Sequence, residues 1–420
     1  MRTHHVARIS SLPLSPSQPR QSTHPPLPYI IGNGGALLLG LVFAYVALRS
    51  SGAVSLAVSS LKISDFMSYY SALRLIYIGH GSSIYTFSAL HHLQVGLMYP
   101  LTMPNGFQPY YLYPPYFALI LAPLAALPFD AAYLVWTALN CLLLICSLYL
   151  LEQYCGLGKR AALALRLASV CFLPVFVTLL QGQVSILLLL LLVLVFFALR
   201  RGTRGEILAG VLLACALIKP QYVVPVLLVL ALRRQWRLLG SFMATAAVLF
   251  GLPMLIFGPS ISGGYLRALH AASSWSMHAQ YIGFGPEGNQ SFAGAAQQLL
   301  PALPATIAFA TLCLLVLGLL GWVALRAPNQ EVALGMAVVV ALLISPHVFI
   351  YDLALLLLPA VIVLRYRPPA FPLVVVCLMV GYGAIFIGYR LAFSTPIHLA
   401  VIAMLAMCVW FWQLGRLHAR

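Results

Sequence analysis

Three stretches of this chain carry side chains able to do chemistry where little else in the sequence can. Asp65 lies in Ser64-Asp65-Phe66-Met67-Ser68-Tyr69-Tyr70. Its residue type suits a helix N-cap, or a general base at a lipid–water boundary, where partial desolvation raises a carboxyl pKa and improves proton acceptance. Lys219 stands in Ala216-Leu217-Ile218-Lys219-Pro220-Gln221, between two apolar runs. Pro220 breaks the helix there, and a lysine at such a turn either snorkels or offers a compact positive charge to a phosphate. His347 and Asp352 fall in Ser345-Pro346-His347-Val348-Phe349-Ile350-Tyr351-Asp352. The spacing predicts His347 and Tyr351 on one helix face. An acid a turn inside an apolar segment is costly enough to mark a function, or a structural partner for an arginine elsewhere.

Neutral groups flank these. Tyr69 follows Asp65 by four residues, and Tyr110-Tyr111-Leu112-Tyr113-Pro114-Pro115 reads as an aromatic belt leading into an apolar segment. Gln181-Gly182-Gln183 and Gly288-Asn289-Gln290-Ser291 are hydrogen-bonding clusters suited to sugar hydroxyls. The candidate substrate-binding set is therefore Tyr69, Tyr113, Gln183, Asn289 and Asp352. The sequence has no Walker motif, HExxH or GxSxG, which removes support for nucleotide-driven, zinc and serine-hydrolase chemistry. Its 8 cysteines lack CxxC spacing and read as small apolar packing residues. No DxD-like acidic cluster is present, so neither metal nor cofactor is expected.

The elements that must position these residues follow from composition. Charged residues make up 7% of the 420 positions, against about 25% in an average soluble protein. Apolar residues make up 62% and run in membrane-length stretches, which defines a polytopic membrane protein. The net charge of +16 does not gather on one basic face, so nucleic acid is not an expected partner. The positive residues punctuate the apolar runs instead, at Arg200-Arg201, Arg233-Arg234, Arg326, Arg365 and Arg416, as cytoplasmic connectors do.

Apolar segments are expected at 30–49, 114–129, 131–151, 161–180, 184–199, 206–218, 220–232, 236–257, 303–325, 331–345, 348–364, 370–389 and 395–415. This makes an all-α bundle of about 11–13 transmembrane helices. Residues 1–28 form a basic cytoplasmic tail before an uncleaved first helix, residues 29–416 one transmembrane domain, and 417–420 a second cytoplasmic tail. The loops 50–113 and 258–302 then lie on the outer face, and the stretch around Asp65 is expected as a helix lying along the interface. Four apolar segments separate the first outer loop from the inner Arg200 loop, where an odd number of crossings is needed. Either 114–129 is re-entrant or 161–180 is broken at Pro174.

Taken in order, Asp65-Phe66 with Tyr69-Tyr70 and Ala72, Gly81 with Ile84-Tyr85, Tyr113-Pro114-Pro115, Gln181-Gly182-Gln183, Ala209-Gly210 with Lys219-Pro220, Asn289 with Ser291, and Ser345-Pro346-His347 resemble the family-87 glycosyltransferases. These are integral-membrane enzymes of the GT-C class that include polyprenyl-phosphate-mannose-dependent α-mannosyltransferases. The resemblance spans roughly residues 30–400. It implies a GT-C-like bundle in the plasma (inner) membrane, a sugar donor carried on a polyprenyl phosphate, a lipid or glycan acceptor, and an active site on the outer face. Asp65 takes the place of the catalytic base, His347 that of a group assisting the base or binding the donor phosphate, and Lys219 that of a phosphate-binding lysine.

The chemistry of the residues agrees. A glycosidase needs two carboxyl groups, whereas a glycosyl phosphate brings its own good leaving group, and one base suffices. Phosphate departure calls for positive or hydrogen-bonding groups, which Lys219 and His347 supply. The expected reaction is an inverting hexosyl transfer, of mannose first, to a lipid or glycan. A secondary transporter or lipid flippase is the rival from another class. It predicts internal repeats and ionisable groups near the bilayer midplane. No repeat stands out here, and the informative residues collect at one face.

Overall fold

The structure is a computed structural model that describes residues 62, 64–99, 109–170, 172–273, 286–327, 329–366 and 398–417. The expected tail 1–28, the first crossing 30–49, the segment 370–389 and positions 418–420 lie outside the described residues. The described chain is helical: α1 Phe66–Tyr77, α2 Phe87–Met98, α3 Pro115–Leu121, α4 Phe129–Cys155, α5 Lys159–Val170, α6 Leu173–Gln181, α7 Ser185–Leu199, α8 Gly202–Cys215, α9 Pro220–Leu232, α10 Trp236–Phe257, α11 Ser260–Ser273, α12 Phe292–Leu299, α13 Ala302–Arg326, α14 Gln330–Ile344, α15 Leu357–Tyr366 and α16 Leu399–Leu417. Short 3-10 turns at Ala122–Ala126, Ala216–Ile218 and Ile350–Leu356 join several of them.

Among the described residues, four helices (α4, α10, α13 and α16) are long and apolar enough to cross a membrane, or five if α6 and α7 count as one bent span. This is an all-α polytopic membrane protein. The expectation of about 11–13 crossings meets further apolar helices that are too short to cross alone, including Pro220–Leu232 and Gln330–Ile344. Both alternatives for the parity problem have a counterpart in the structure. The 114–129 stretch is the seven-residue α3 plus a 3-10 turn. The 161–180 stretch is split between α5 and α6, and α6 then meets α7 at a bend of 120°. Such breaks are tolerated at membrane depth only where protein satisfies the freed backbone groups. Here α4 does so: Tyr133 donates to the carbonyl of Leu180 at 2.7 Å, and Trp136 Nε1 donates to that of Gly182 at 2.7 Å.

α14 is the axis of the larger core, buried from Val332 to Leu343 and flanked by α9, α13 and α16. By contrast α10 and α13 leave Met243, Val248, Leu255, Leu303, Leu314 and Leu315 exposed, as lipid-facing helices do. A second core forms around α1. Phe66 is its centre, with ring centroids of Phe129 and Tyr133 each 5.6 Å away and Trp136 stacked at 6.5 Å. Every residue of α1 from Phe66 to Leu73 is buried. The helix expected along the interface is therefore present but covered. Ser68, Ser71 and Ala72 give its second face so little bulk that the Ala122–Ala126 turn and α3 close over it.

Candidate functional site

The bend between α6 and α7 builds the site. Gly182 adopts a left-handed φ of +66°, which ends α6 and turns Gln183 inward. An added Cβ there would lie 2.8 Å from Phe66 Cβ, so the turn and α1 are packed against each other. Gln181 Oε1 accepts from the backbone N–H of Asp65 at 3.1 Å, and Gln183 Nε2 donates to Asp65 Oδ2 at 2.6 Å. Asp65 occupies the N-cap position of α1, yet its carboxylate makes no capping bond. The capping explanation of this acid fails, because its carboxylate is committed across the protein to Gln183.

Gln183 has a forced orientation. The Tyr69 and Tyr113 hydroxyls lie 2.8 and 2.9 Å from its Oε1, and 2.6 Å from each other. Tyr69 donates to Tyr113, Tyr113 donates to the amide oxygen, and the amide N–H is left for Asp65. Of the five residues expected to bind substrate, Tyr69, Gln183, Asn289 and Asp352 are buried. Gln183 bonds Asp65, and Tyr69 with Tyr113 bonds the Gln183 amide oxygen.

Asp65 itself keeps part of its surface open although protein surrounds it. Burial pushes its carboxyl above the ordinary carboxylate range. The Gln183 hydrogen bond, the Lys219 charge and a hydrogen bond from Tyr351 pull it down, while Asp352 pushes it up. The balance is upward, as a base working near neutrality requires.

Lys219, read in the sequence as a snorkelling or phosphate-binding lysine, is buried and paired. Its Nζ is 2.5 Å from Asp352 Oδ1, which also accepts from Ser185 Oγ at 3.1 Å. The ammonium lies 4.9 Å from the ring centroid of Tyr351 and 5.9 Å from that of Tyr222. Asp352, read in the sequence as a possible partner for an arginine, partners this lysine. Its second oxygen accepts from the backbone N–H of Phe349 at 3.2 Å.

His347 and Tyr351 do not share a helix face, because the helix begins only at Ile350 and as a 3-10 turn. Asn289 prevents an earlier start. Its Nδ2 donates to Pro346 O at 2.8 Å, and its Oδ1 accepts from Val348 N at 3.0 Å and from Ser291 Oγ at 2.9 Å. Asn289, expected to bind substrate, is thus a buried clamp on the Ser345-Pro346-His347 backbone. His347 is part-exposed, and its backbone N–H and carbonyl are both held by Ser345 Oγ.

Asp65, Tyr69, Tyr113, Gln183, Lys219 and Asp352 therefore form one neighbourhood, with Asn289 and His347 fastened to its edge. Sequence reasoning left out Trp136, Thr178 and Ser185, and placed Tyr351 only beside His347. Trp136 and Ser185 carried a legible signal, since an indole N–H and a hydroxyl in apolar segments must find partners.

A helical membrane bundle that holds one part-open carboxylate near a buried lysine has the groups that a membrane group-transfer site would use. The chain matches the sequence model of glycosyltransferase family 87 over residues 111–346, more than half of its 420 positions, and belongs to that family. The matched stretch contains Tyr113, Gln183, Lys219 and Asn289. Asp65 and Asp352, outside it, are tied to it by Gln183 and Lys219. The chain is also 34% identical over 150 residues to an alpha-(1->3)-arabinofuranosyltransferase of Mycolicibacterium smegmatis, a match covering 35% of this chain and 33% of that protein. The chain thus spans about a third of that curated relative's length. No solved structure matches it significantly.

Proposed function

We propose that the protein transfers a hexose, mannose first among candidates, from a polyprenyl-phosphate sugar to a lipid or glycan, with inversion and with Asp65 as general base. Asp65 takes the proton of the acceptor hydroxyl as that oxygen attacks the anomeric carbon. The bond from the anomeric carbon to the phosphate oxygen breaks, and the polyprenyl phosphate leaves with the electron pair. Lys219 has three N–H donors and gives one to Asp352, so it retains others for the phosphate. His347 adds a second donor to the departing phosphate. Transfer needs no metal in this reading and is expected to survive EDTA.

The observation that carries the reading is an acid held by a neutral amide, part-open, and within electrostatic reach of a buried lysine. The placement of arginines supports an outer-face site in a multi-pass inner-membrane protein with a cytoplasmic N-terminus. Lys219 opens α9 and Arg233 closes it, while Ser185 opens α7 and Arg200 closes it. The site and the arginine-rich connectors therefore sit at opposite helix ends.

The test is transfer by the purified protein from a panel of radiolabelled polyprenyl-phosphate sugars to extracted lipids, with mannosyl and arabinofuranosyl donors side by side. Arabinofuranose is included because of the M. smegmatis relative. Wild type should label an acceptor from one donor, and Asp65→Asn, still able to bind that donor, should lose about 1000-fold or more of turnover. A well-folded Asp65→Asn protein with wild-type turnover would sink the mechanism.

A further inference from the structure

Tyr351 stands between the two charged halves of the site, and the reading above gives it no role. Its backbone carbonyl accepts from Thr178 Oγ1 at 3.2 Å, which ties it to α6, the helix whose last turn carries Gln181. Its ring centroid is 4.9 Å from Lys219 Nζ. Its side chain also lies near enough to Asp65 to favour that carboxyl's charged form. Its neighbour Asp352 is buried, whereas Tyr351 is part-exposed. Its side chain thus neighbours both the proposed base and the lysine proposed for the phosphate.

We propose that Tyr351 is a positioning residue for the transfer, its hydroxyl holding the Asp65 carboxylate towards the acceptor and its ring face holding the Lys219 ammonium towards the donor phosphate. The proposal rests on the reading of Asp65 as base. The two contacts use different parts of the side chain. A phenol donates to an anionic carboxylate and favours its charged form. The negative ring face attracts a cation whether or not the hydroxyl is present. Lys219 already has Asp352 on one side, so the ring limits the directions left to it. A fixed spacing between base and cation is what an in-line displacement at the anomeric carbon needs, since attack and departure occur on opposite sides of that atom.

The two contacts can be removed separately. Tyr351→Phe keeps the ring and deletes the hydroxyl, and Tyr351→Leu deletes both. The titratable groups facing Asp65 are Lys219, Asp352, Tyr69, Tyr113 and Tyr351, so a pH profile reads this cluster. With the donor on which wild type is active, Tyr351→Phe should move the acid limb of kcat/KM upward by about half to one pH unit and lower kcat about 5- to 20-fold, leaving the donor KM unchanged. Tyr351→Leu should add a rise of about 10-fold in donor KM. A merely structural role lowers the melting temperature and active fraction of both variants without moving the acid limb, and that result overturns the proposal. An unchanged profile and kcat in Tyr351→Phe beside an inactive Asp65→Asn overturns it too, while the base survives. Wild-type turnover in Asp65→Asn removes the base, and the role of Tyr351 with it.

Discussion

Replacing Gln183 by glutamate is the most direct probe of how Asp65 is held. The substitution keeps the size of the side chain and leaves an oxygen for Tyr69 and Tyr113 to bond, so the surrounding aromatic core is preserved. It changes the atom 2.6 Å from Asp65 Oδ2 from a donor into a second carboxylate oxygen. Two unit charges about 4 Å apart repel by about 4 kcal/mol at an effective dielectric of about 20, equivalent to about 3 pKa units. Solvent reaches Asp65 and reduces this to about 1–2 units, because part-open charges are screened. The pair then shares one proton near neutrality, as closely spaced carboxylates do. The sign follows from the chemistry: a general base works only when deprotonated, so raising its pKa removes activity from the acid side. Gln183→Glu is therefore expected to lose about 10- to 100-fold in kcat/KM at neutral pH and to regain most of it about two units higher. The assay is the pH dependence of kcat/KM on the active donor, with a thermal melt as the control for folding. A folded Gln183→Glu protein whose acid limb overlays that of wild type would refute the placement of Gln183 against the catalytic carboxylate.

Two further substitutions test the frame around it. Lys219→Met leaves Asp352 as an uncompensated buried charge and should cost about 3–5 kcal/mol of stability. The double variant Lys219→Met/Asp352→Leu should recover most of that loss in a detergent melt and remain inactive; recovery of activity as well would show that the pair serves folding only. Gly182→Ala places a Cβ 2.8 Å from Phe66 Cβ on a backbone with φ of +66°. It should destabilise by about 1–3 kcal/mol and depress activity by loosening Gln183, whereas an unchanged melting temperature would mean the turn is not tight.

Much of the site was legible in the sequence because charge is scarce in it. An acid or a lysine in an apolar chain is costly, so Asp65, Lys219 and Asp352 stood out singly. Their partnerships did not. Lys219 and Asp352 are 133 positions apart, and Asp65 and Gln183 are 118 apart. The Ile350–Leu356 turn packs on α6 and α7, α7 packs on the Ala216–Ile218 turn that ends at Lys219, and Gln183 in the α6–α7 bend reaches Asp65 at the start of α1. Local patterning also misjudged Ser345–Asp352. Its spacing looked helical, but Asn289, more than fifty residues upstream, captures the backbone at Pro346 and Val348 and delays the helix to Ile350. Burial of α1 was missed for a similar reason. Aromatic residues on one face suggest an interface, and the small residues that admit a covering layer on the other carry little hydropathic signal. The all-helical membrane fold was read correctly, since backbone groups in lipid must be satisfied internally whatever the tertiary arrangement.

The use made of the other buried acids argues for the special position of Asp65. Glu152 is gripped by Arg166 at 2.6 and 2.8 Å. Glu331 accepts from Arg200 at 2.8 Å and from the hydroxyls of Tyr154 and Tyr366 at 2.6 and 3.0 Å. Asp352 has Lys219. Each has a cation in direct contact that occupies its oxygens, as a structural acid should be. Among the described residues, Asp65 meets a neutral amide and a phenol instead, with the nearest cation acting on it through space. A directly bonded cation would have lowered its pKa and blocked its lone pairs. Neutral donors fix its direction and leave it basic. Arg200 and Glu331 also lie about 22 Å from Ser185 along α7, so ion pairs that serve only structure are kept away from this carboxylate. The same economy predicts that Gln183→Lys, which would place a cation on Asp65, should preserve folding while lowering kcat; a kcat at the wild-type level would contradict it.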